Sequence, residues 1–296
     1  MRVDTLGLKV AQRFRKRVRH LLRRRHHASR LLRAQLYAVA CVGFTRMARG
    51  PADRLRLLLV GADLIFREIT GRKYGAPRRV AVTYRGQRLI VWVDRVNDLD
   101  VMWEVFADKQ YDQFSLPQPP STILDLGAHI GTTLLALHVR YPEARLAAVE
   151  PDPMTFRRLE RNLAGLLQQT SLRQAAVTAS DDDHVDFFPS DDAWESGSTP
   201  SEDRGGPVKV PGRSFASLMR DLGLDHVDLL KVDIEGAEWA LVSNLDDRQF
   251  DTLVMEWHAD MHGHSIDELR PMLPAHEVFA KQLRTPGRYM VIARPA

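Results

Sequence analysis

Two hydrophobic periods alternate along most of this chain, and their order predicts its architecture. Thr122 to Leu126 (TILDL) is a β-branched, apolar run of strand length, and Leu134, Leu135, Leu137 and Val139 follow at helical spacing. The unit then repeats. Arg145 to Glu150 (RLAAVE) reads as a second strand, and Asp152 and Pro153 suit the N-cap and first position of a helix running through Leu167. Leu172 to Thr178 predicts a third strand. Val227 to Val232 predicts a fourth, nearly continuous in apolar residues, which turns at Asp233 through Glu235 and Gly236 into a helix. Thr252 to Trp257 predicts a fifth, ending near His258, and Ser265-Ile266-Asp267-Glu268 is a capping box for the next helix. Glu277 to Leu283 and Tyr289 to Ala293 flank Thr285-Pro286-Gly287-Arg288, whose Pro-Gly pair suits a type II turn, so an antiparallel hairpin is expected at the end of the sheet.

The pattern upstream is different. Val10, Phe14, Val18, Leu21, Leu22, Ala28, Leu32 and Leu36 recur at helical spacing between clusters such as RFRKRVRH, which predicts a basic amphipathic helix. Gly50-Pro51 breaks it, and Asp53 is placed as the cap of a second helix carrying Leu55, Leu58, Leu59, Ala62 and Ile65. Val80 to Tyr84 and Arg88 to Val93 alternate around Gly86 as a hairpin, and Asn97 to Gln110 reads as a helix. Pro117-Gln118-Pro119-Pro120 is a stiff connection, so three regions are expected: a basic helical arm over 1–75, a hairpin and helix over 76–120, and the main domain over 121–296. Asp181 to Gly206, rich in Asp, Ser, Gly and Pro, reads as a solvated loop placed to cover a second substrate.

Composition sharpens the role of the arm. With 296 residues, 44% of them apolar, the chain has material for a substantial core. Its net charge of +4 hides an asymmetry: residues 1–56 carry 16 Lys/Arg against Asp4 and Asp53, a net +14, and the remainder is −10. The arm reads either as a solvated helix laid on the domain or as a contact for an anionic membrane surface, and nucleic acid is disfavoured because the basic surface is poor in aromatics. Its apolar stretches, Gln35 to Phe44 and Leu57 to Phe66, fall short of the roughly 20 residues a membrane span needs, and no cleavage-site pattern follows them. Cys41 is the only cysteine and has no internal partner, which favours a cytoplasmic protein, peripheral at most to the inner membrane surface.

The chemistry centres on Ser121 to Gly131, STILDLGAHIG. A dinucleotide fingerprint places a glycine where this chain has His129, so a pyrophosphate ligand is disfavoured; S-adenosylmethionine has no phosphate and is commonly held by a turn of this type. Histidine tolerates positive φ better than most residues, so the turn is sterically open to it. Glu150 ends the second strand 19 residues past Gly131, where a carboxylate accepts hydrogen bonds from both ribose hydroxyls. The residues assigned to this cofactor are Asp125, Gly127, Ala128, His129, Gly131, Glu150, Pro151, Asp152 and Ala176.

Taken together, ILDLGAHIG, AAVEPDP and LLKVDIEGAE (Leu229 to Glu238) resemble the FkbM-type family of S-adenosylmethionine-dependent methyltransferases over roughly Asp94 to Ala293. His129 departs from the Asn usual in the first motif, and the basic arm lies outside the resemblance. The resemblance implies O-methylation of a hydroxyl on a sugar or other small metabolite. The expected fold is α/β: a doubly wound Rossmann-like class I methyltransferase sheet with a terminal antiparallel hairpin, preceded by the basic arm.

Aligning an acceptor with a sulfonium methyl and removing its proton calls for groups at the ends of the fourth and fifth strands. Asp233 is the first candidate, as orienting carboxylate or base, with a helix cap as its alternative. Glu235, placed with Glu238 in the first turn of the following helix, ranks below it. His258 is the candidate general base because imidazole titrates near neutral pH, with an ordinary loop histidine as its alternative. His258, Asp260, His262 and His264 lack the order and the helix of a metal motif, so no metal is assigned. A nonenzymatic binding protein and an RNA methyltransferase are the rival readings.

Overall fold

The structure, a computed structural model, describes residues 43–70, 75–189, 206–283 and 285–296. The basic helix expected between Val10 and Leu36, and the part of the acidic run containing Asp191 and Asp192, lie outside these residues, as does most of the lid read from that run. The chain divides into two compact units, Met1–Gln110 and Tyr111–Ala296, so the division falls before the Pro117 to Pro120 segment.

In the first unit, helix α1 (Pro51–Thr70) is followed by the antiparallel hairpin β1 (Arg78–Tyr84) and β2 (Gln87–Val93), then by helix α2 (Val96–Phe106). Val80, Val82, Val91 and Val93 of the hairpin are buried, as are Leu57 and Leu64 of α1 and Met102 and Trp103 of α2. Asp53 is not a cap. It lies within the first turn of α1 and pairs with Arg88 through two contacts of 2.8 Å, an exposed tie between helix and hairpin. Among the described residues no helix is long and apolar enough to cross a membrane.

The second unit is built on a seven-stranded sheet. Its strands are β3 (Thr122–Leu126), β4 (Arg145–Val149), β5 (Thr170–Arg173), β9 (Val227–Val232), β10 (Phe250–His258), β11 (His276–Gln282) and β12 (Arg288–Pro295), in the order β11-β12-β10-β9-β3-β4-β5. From β10 to β5 all pairings are parallel; β12 joins antiparallel between β10 and β11. This is the Rossmann-like class I methyltransferase sheet with its terminal hairpin. Helices α3 (Thr132–Arg140) and α4 (Pro153–Asn162) connect the strands on one side of β3, and the chain returns to β9 on the other. The winding therefore reverses at β3, and a crevice at the carboxyl ends of β3 and β9 is the expected ligand position. Buried Leu124, Leu126, Leu230, Val232, Leu253 and Met255 form the continuous core beneath that crevice. In the terminal hairpin, Arg288 N donates to Thr285 O at 3.1 Å and Gly287 has φ +79°, as a type II turn requires.

Two regions depart from the sequence reading. The expected third strand is two: β5 stays in the main sheet, while β6 (Ala176–Val177) joins β7 (Asp182–Phe187) and β8 (Val208–Arg213) in a separate three-stranded sheet of order β6-β8-β7. The start of the acidic run is thus strand, not solvated loop. Proline in β8 conceals it from sequence patterns, yet Pro211 falls where the register shifts between Asp182 and Val185, a bulge at which a missing N–H costs no ladder bond. Asp181 is also engaged: it accepts from Ser214 N at 2.9 Å and Ser217 Oγ at 2.5 Å, anchoring helix α5 (Phe215–Leu222). These hydrogen bonds, that of Ser217 foremost, lower its carboxyl to about 2.

Candidate active site

The turn after β3 is assembled from left-handed residues. Gly127, His129 and Gly131 have φ of +80°, +50° and +85°. Gly127 N and Ala128 N both donate to Val149 O, at 2.9 and 3.0 Å, and Asn162 Nδ2 donates to Ile130 O at 2.8 Å, so the turn is stitched to β4 and α4. The glycines answer to packing as well as to torsion. A Cβ on Gly127 would stand 1.8 Å from Asp233 O, and one on Gly131 would stand 2.8 Å from Leu159 Cδ1. Gly127 is therefore the point where the glycine turn touches the end of β9.

Glu150 is buried beside this turn and accepts backbone hydrogen bonds on both oxygens, from His129 N at 2.9 Å and Asp152 N at 3.0 Å. The left-handed backbone at His129 is what aims its N–H at the carboxylate. Burial raises the Glu150 carboxyl to about 7, with the two backbone N–H groups working against it and the Asp152 charge adding to it. Asp152 follows Pro151 and caps α4, accepting from Thr155 N at 3.0 Å and Thr155 Oγ1 at 2.5 Å, so its side chain is committed to the helix as the sequence predicted.

The side chains of two assigned residues are engaged within the protein. Asp125 is fully buried and pairs with Lys231 Nζ at 2.8 Å, and the same ammonium donates to Gly127 O at 2.8 Å. Although burial opposes its charge, the neighbouring Asp125 and Tyr111 hold Lys231 above its ordinary range. Asp125 thus acts through Lys231 on the glycine turn. Tyr111 is buried beside this pair, and burial raises its phenol well above the ordinary value. Ala176 packs its side chain with Phe187 and Val210 in the three-stranded sheet.

A second cluster gathers at the ends of β9 and β10. Asp233 follows β9 directly; its N donates to Leu126 O at 3.0 Å, and its Oδ1 is buried without a hydrogen bond. It caps no helix, because α6 (Glu238–Val242) begins five residues later with Ala237 at its cap. Glu235 lies before that helix rather than in its first turn, in a left-handed conformation of φ +49°. Burial, reinforced by Asp233, pushes its carboxyl well above the usual range.

His258 is completely buried. Its Nδ1 donates to Glu238 Oε1 at 3.0 Å, and its Nε2 stands 3.4 Å from Glu235 Oε2 and 3.7 Å from Glu256 Oε1. Burial disfavours the charged ring, but Glu238, through the hydrogen bond and its charge, outweighs this and with Glu235 and Asp233 raises it to about 10. The near-neutral titration that recommended His258 as a general base is therefore absent: at pH 7 the ring already holds its proton.

The histidines beyond it do not assemble around an ion. His264 stacks on Trp239 at 3.5 Å and pairs with Glu268, while His262 meets the Trp257 ring edge-on at 4.3 Å. Sequence reasoning undervalued Glu238, which is fully buried and accepts from Ile234 N and Gly236 N as well as binding His258. It passed over Glu256 and Lys231. Glu256 had a signal, since residues two apart on a strand share a face, and His258 was already under consideration.

The family model described as the methyltransferase FkbM domain matches residues 125–279, a span that contains both clusters. Methyltransferase sdnD of Sordaria araneosa is 30% identical over 179 residues, covering 50% of this chain and 69% of the relative. The 31-O-demethyl-FK506 methyltransferase FkbM of Streptomyces tacrolimicus is 23% identical over 211 residues, covering 58% and 78%. Among solved structures, the methyltransferase FkbM from Methylobacillus flagellatus KT aligns over 88% of this chain and 59% of its own, at 10% identity and a TM-score of 0.40. More than half of this chain thus matches one family model, in the region that forms the glycine turn and the carboxylate cluster beside it, and the protein is a methyltransferase of the FkbM family.

Proposed function

We propose that this methyltransferase uses S-adenosylmethionine to methylate a hydroxyl oxygen of a saccharide, glycan or other small metabolite. The observation that carries the reading is Asp233: a carboxylate oxygen buried without a hydrogen bond, at the end of β9, against the glycine turn where the winding of the sheet reverses. A buried acceptor of this kind is costly unless a ligand completes it. The chain's similarity to an enzyme named for a 31-O position favours oxygen as the atom methylated.

The cofactor would supply an electrophilic methyl on sulfur. The residues present fit it: the turn from Gly127 to Gly131 presents backbone without side-chain bulk, and the lone pairs of Glu150 left over from His129 N and Asp152 N accept ribose hydroxyls. Asp233 aligns the acceptor hydroxyl and receives its proton as the oxygen attacks. Glu238 and His258 hold the floor of the acceptor side rigid, because each has its partner inside the protein.

Calorimetry with S-adenosylmethionine, followed by incubation of protein and labelled cofactor with metabolite fractions and mass detection of an added methyl group, tests this. Asp233→Asn should bind the cofactor with unchanged affinity and lose on the order of 100-fold or more in turnover. A protein that fails to bind the cofactor is a binding module on this fold, and methyl gain on RNA instead of small molecules would make it an RNA enzyme.

A further inference from the structure

Beside the cofactor turn, the ends of β9 and β10 bring together ligands of a kind that the methyl-transfer reading does not use. The parallel register sets Met255 against Val232, so the residues that follow, Glu256 and Asp233, lie side by side, and His258 returns to the same face of β10 as Glu256. One ligand atom from each of Asp233, Glu256 and His258 lies within 4.8 Å of the others. A six-coordinate ion with bonds of roughly 2.0–2.2 Å sets adjacent ligands about 3 Å apart and opposite ones about 4.3 Å apart, so small side-chain rotations suffice to close this set around one ion.

His258 points independently to an ion. It is 0% exposed, Glu238 occupies Nδ1 at 3.0 Å, and Nε2 faces the carboxylates without a hydrogen bond. An outer carboxylate that fixes a histidine by one nitrogen and leaves the other pointing into a group of acids is how ligating imidazoles are oriented. Charge argues the same way. Asp233, Glu235, Glu238 and Glu256 surround the ring, while Arg288 lies 3.8 Å from Glu235 and is shared with Asp260 at 3.1 Å. An ion held here would add positive charge where several acids converge.

We propose that Asp233, Glu256 and His258 bind a divalent cation of the Mn2+ type, for which a mixed carboxylate and imidazole set is suited, the ion displacing the proton of His258 Nε2 to solvent as it binds and keeping its remaining positions open to water and to the acceptor hydroxyl. The inference rests on reading Asp233 as the acceptor-facing carboxylate and specifies how it acts: it holds the ion, and the ion holds and polarises the hydroxyl. A second acid and histidine group, His226, Asp228 and Asp251, is a poorer site. It is more exposed, and Asp228 Oδ2 already accepts from Ser121 N and Thr122 N at the start of β3.

The test is Mn2+ titration of the full chain after treatment with a chelator, followed by electron paramagnetic resonance for bound ion and for nitrogen coupling from a ligating imidazole. One saturable site with nitrogen coupling is expected, weakened in Glu256→Gln and Asp233→Asn by more than the roughly 10–100-fold that outer-shell changes cost, and unaltered in Asp251→Asn. Glu256 is partly exposed, so its variant should fold, which circular dichroism checks. Absence of saturable binding, absence of nitrogen coupling, or loss of the ion in Asp251→Asn overturns the site. Calorimetry with S-adenosylmethionine on the same samples separates the two claims: cofactor binding without Mn2+ binding rejects the ion alone, and Mn2+ binding at these residues without cofactor binding sustains the ion and rejects the cofactor reading.

Discussion

The most quantitative consequence of the structure concerns Glu150. Its carboxyl is raised from an ordinary 4.5 to about 7 by burial. Each tenfold change in proton affinity is worth about 1.4 kcal/mol, so the folded state loses roughly 3 kcal/mol across that window. The sign follows from proton counting. Between these values the folded protein holds a proton that the unfolded chain has released, so the stabilisation is complete below about 4.5 and disappears as pH rises through about 7. Glu150→Gln cannot ionise and should lack this contribution. Glutamine also sets an NH2 group against one of the two backbone N–H donors, but that penalty is the same at every pH and cancels when the change in stability from pH 5 to pH 8 is compared between variant and parent. The difference between those two changes should be roughly 2.5 kcal/mol, on the order of 5–10 °C in Tm for a domain of this size, read by urea denaturation and thermal melts. Cofactor affinity should rise with pH through the same window in the parent, because ribose hydroxyls donate best to the ionised carboxylate, and should be flat and at least about tenfold weaker in the variant. Identical pH profiles in the two proteins would show that Glu150 is ionised throughout and would refute the reasoning.

Gly127→Ala should cost more than the roughly 1–3 kcal/mol of left-handed strain alone, since its Cβ would meet Asp233 O at 1.8 Å; chemical denaturation measures the loss, and a variant as stable as the parent would contradict the close approach. Lys231→Met should destabilise by roughly 3–5 kcal/mol by stranding the buried Asp125, and adding Asp125→Leu should recover much of that, whereas equal stabilities for single and double variants would deny the pair its role. Deleting residues 1–42 should abolish salt-sensitive sedimentation with anionic vesicles and leave methyl transfer to a soluble acceptor in place; a full-length chain that ignores such vesicles at low salt rules out a membrane role for the arm.

What could be read from the sequence was what depends on neighbours along the chain. The period-2 hairpin, the five parallel strands and the Ser265 capping box each announce themselves within a few residues, and histidine's tolerance of positive φ correctly allowed His129 into the glycine turn. The side sheet was hidden because the Pro211 and Gly212 pair breaks every local strand rule, while the bulge that accommodates it depends on Val185, a partner in another strand. Asp181 looked solvated because the serines that engage it lie 33 and 36 residues away.

The site divides along the same line. That Gly127 and Glu150 would lie at one turn could be read from spacing, because a strand, a turn and a second strand fix their separation. The role of His258 could not, because the protonation of an imidazole is set by its surroundings rather than by its type. Glu238 lies 20 residues earlier, on a helix whose packing brings its carboxylate to Nδ1, and that one contact moves the ring from a group poised to accept a proton at pH 7 to one that already holds it. The same contact leaves Nε2 facing Asp233, Glu235 and Glu256, so the residue that looked like a base is better suited to balancing or binding charge. For the proposed methyl transfer to a hydroxyl, this directs the acceptor's proton to a carboxylate such as Asp233 or to an ion-bound water, and the pH dependence of Asp233→Asn turnover distinguishes the two: a carboxylate base leaves an activity that recovers only as hydroxide takes over, while an ion-held hydroxyl loses its activity together with the Mn2+ signal.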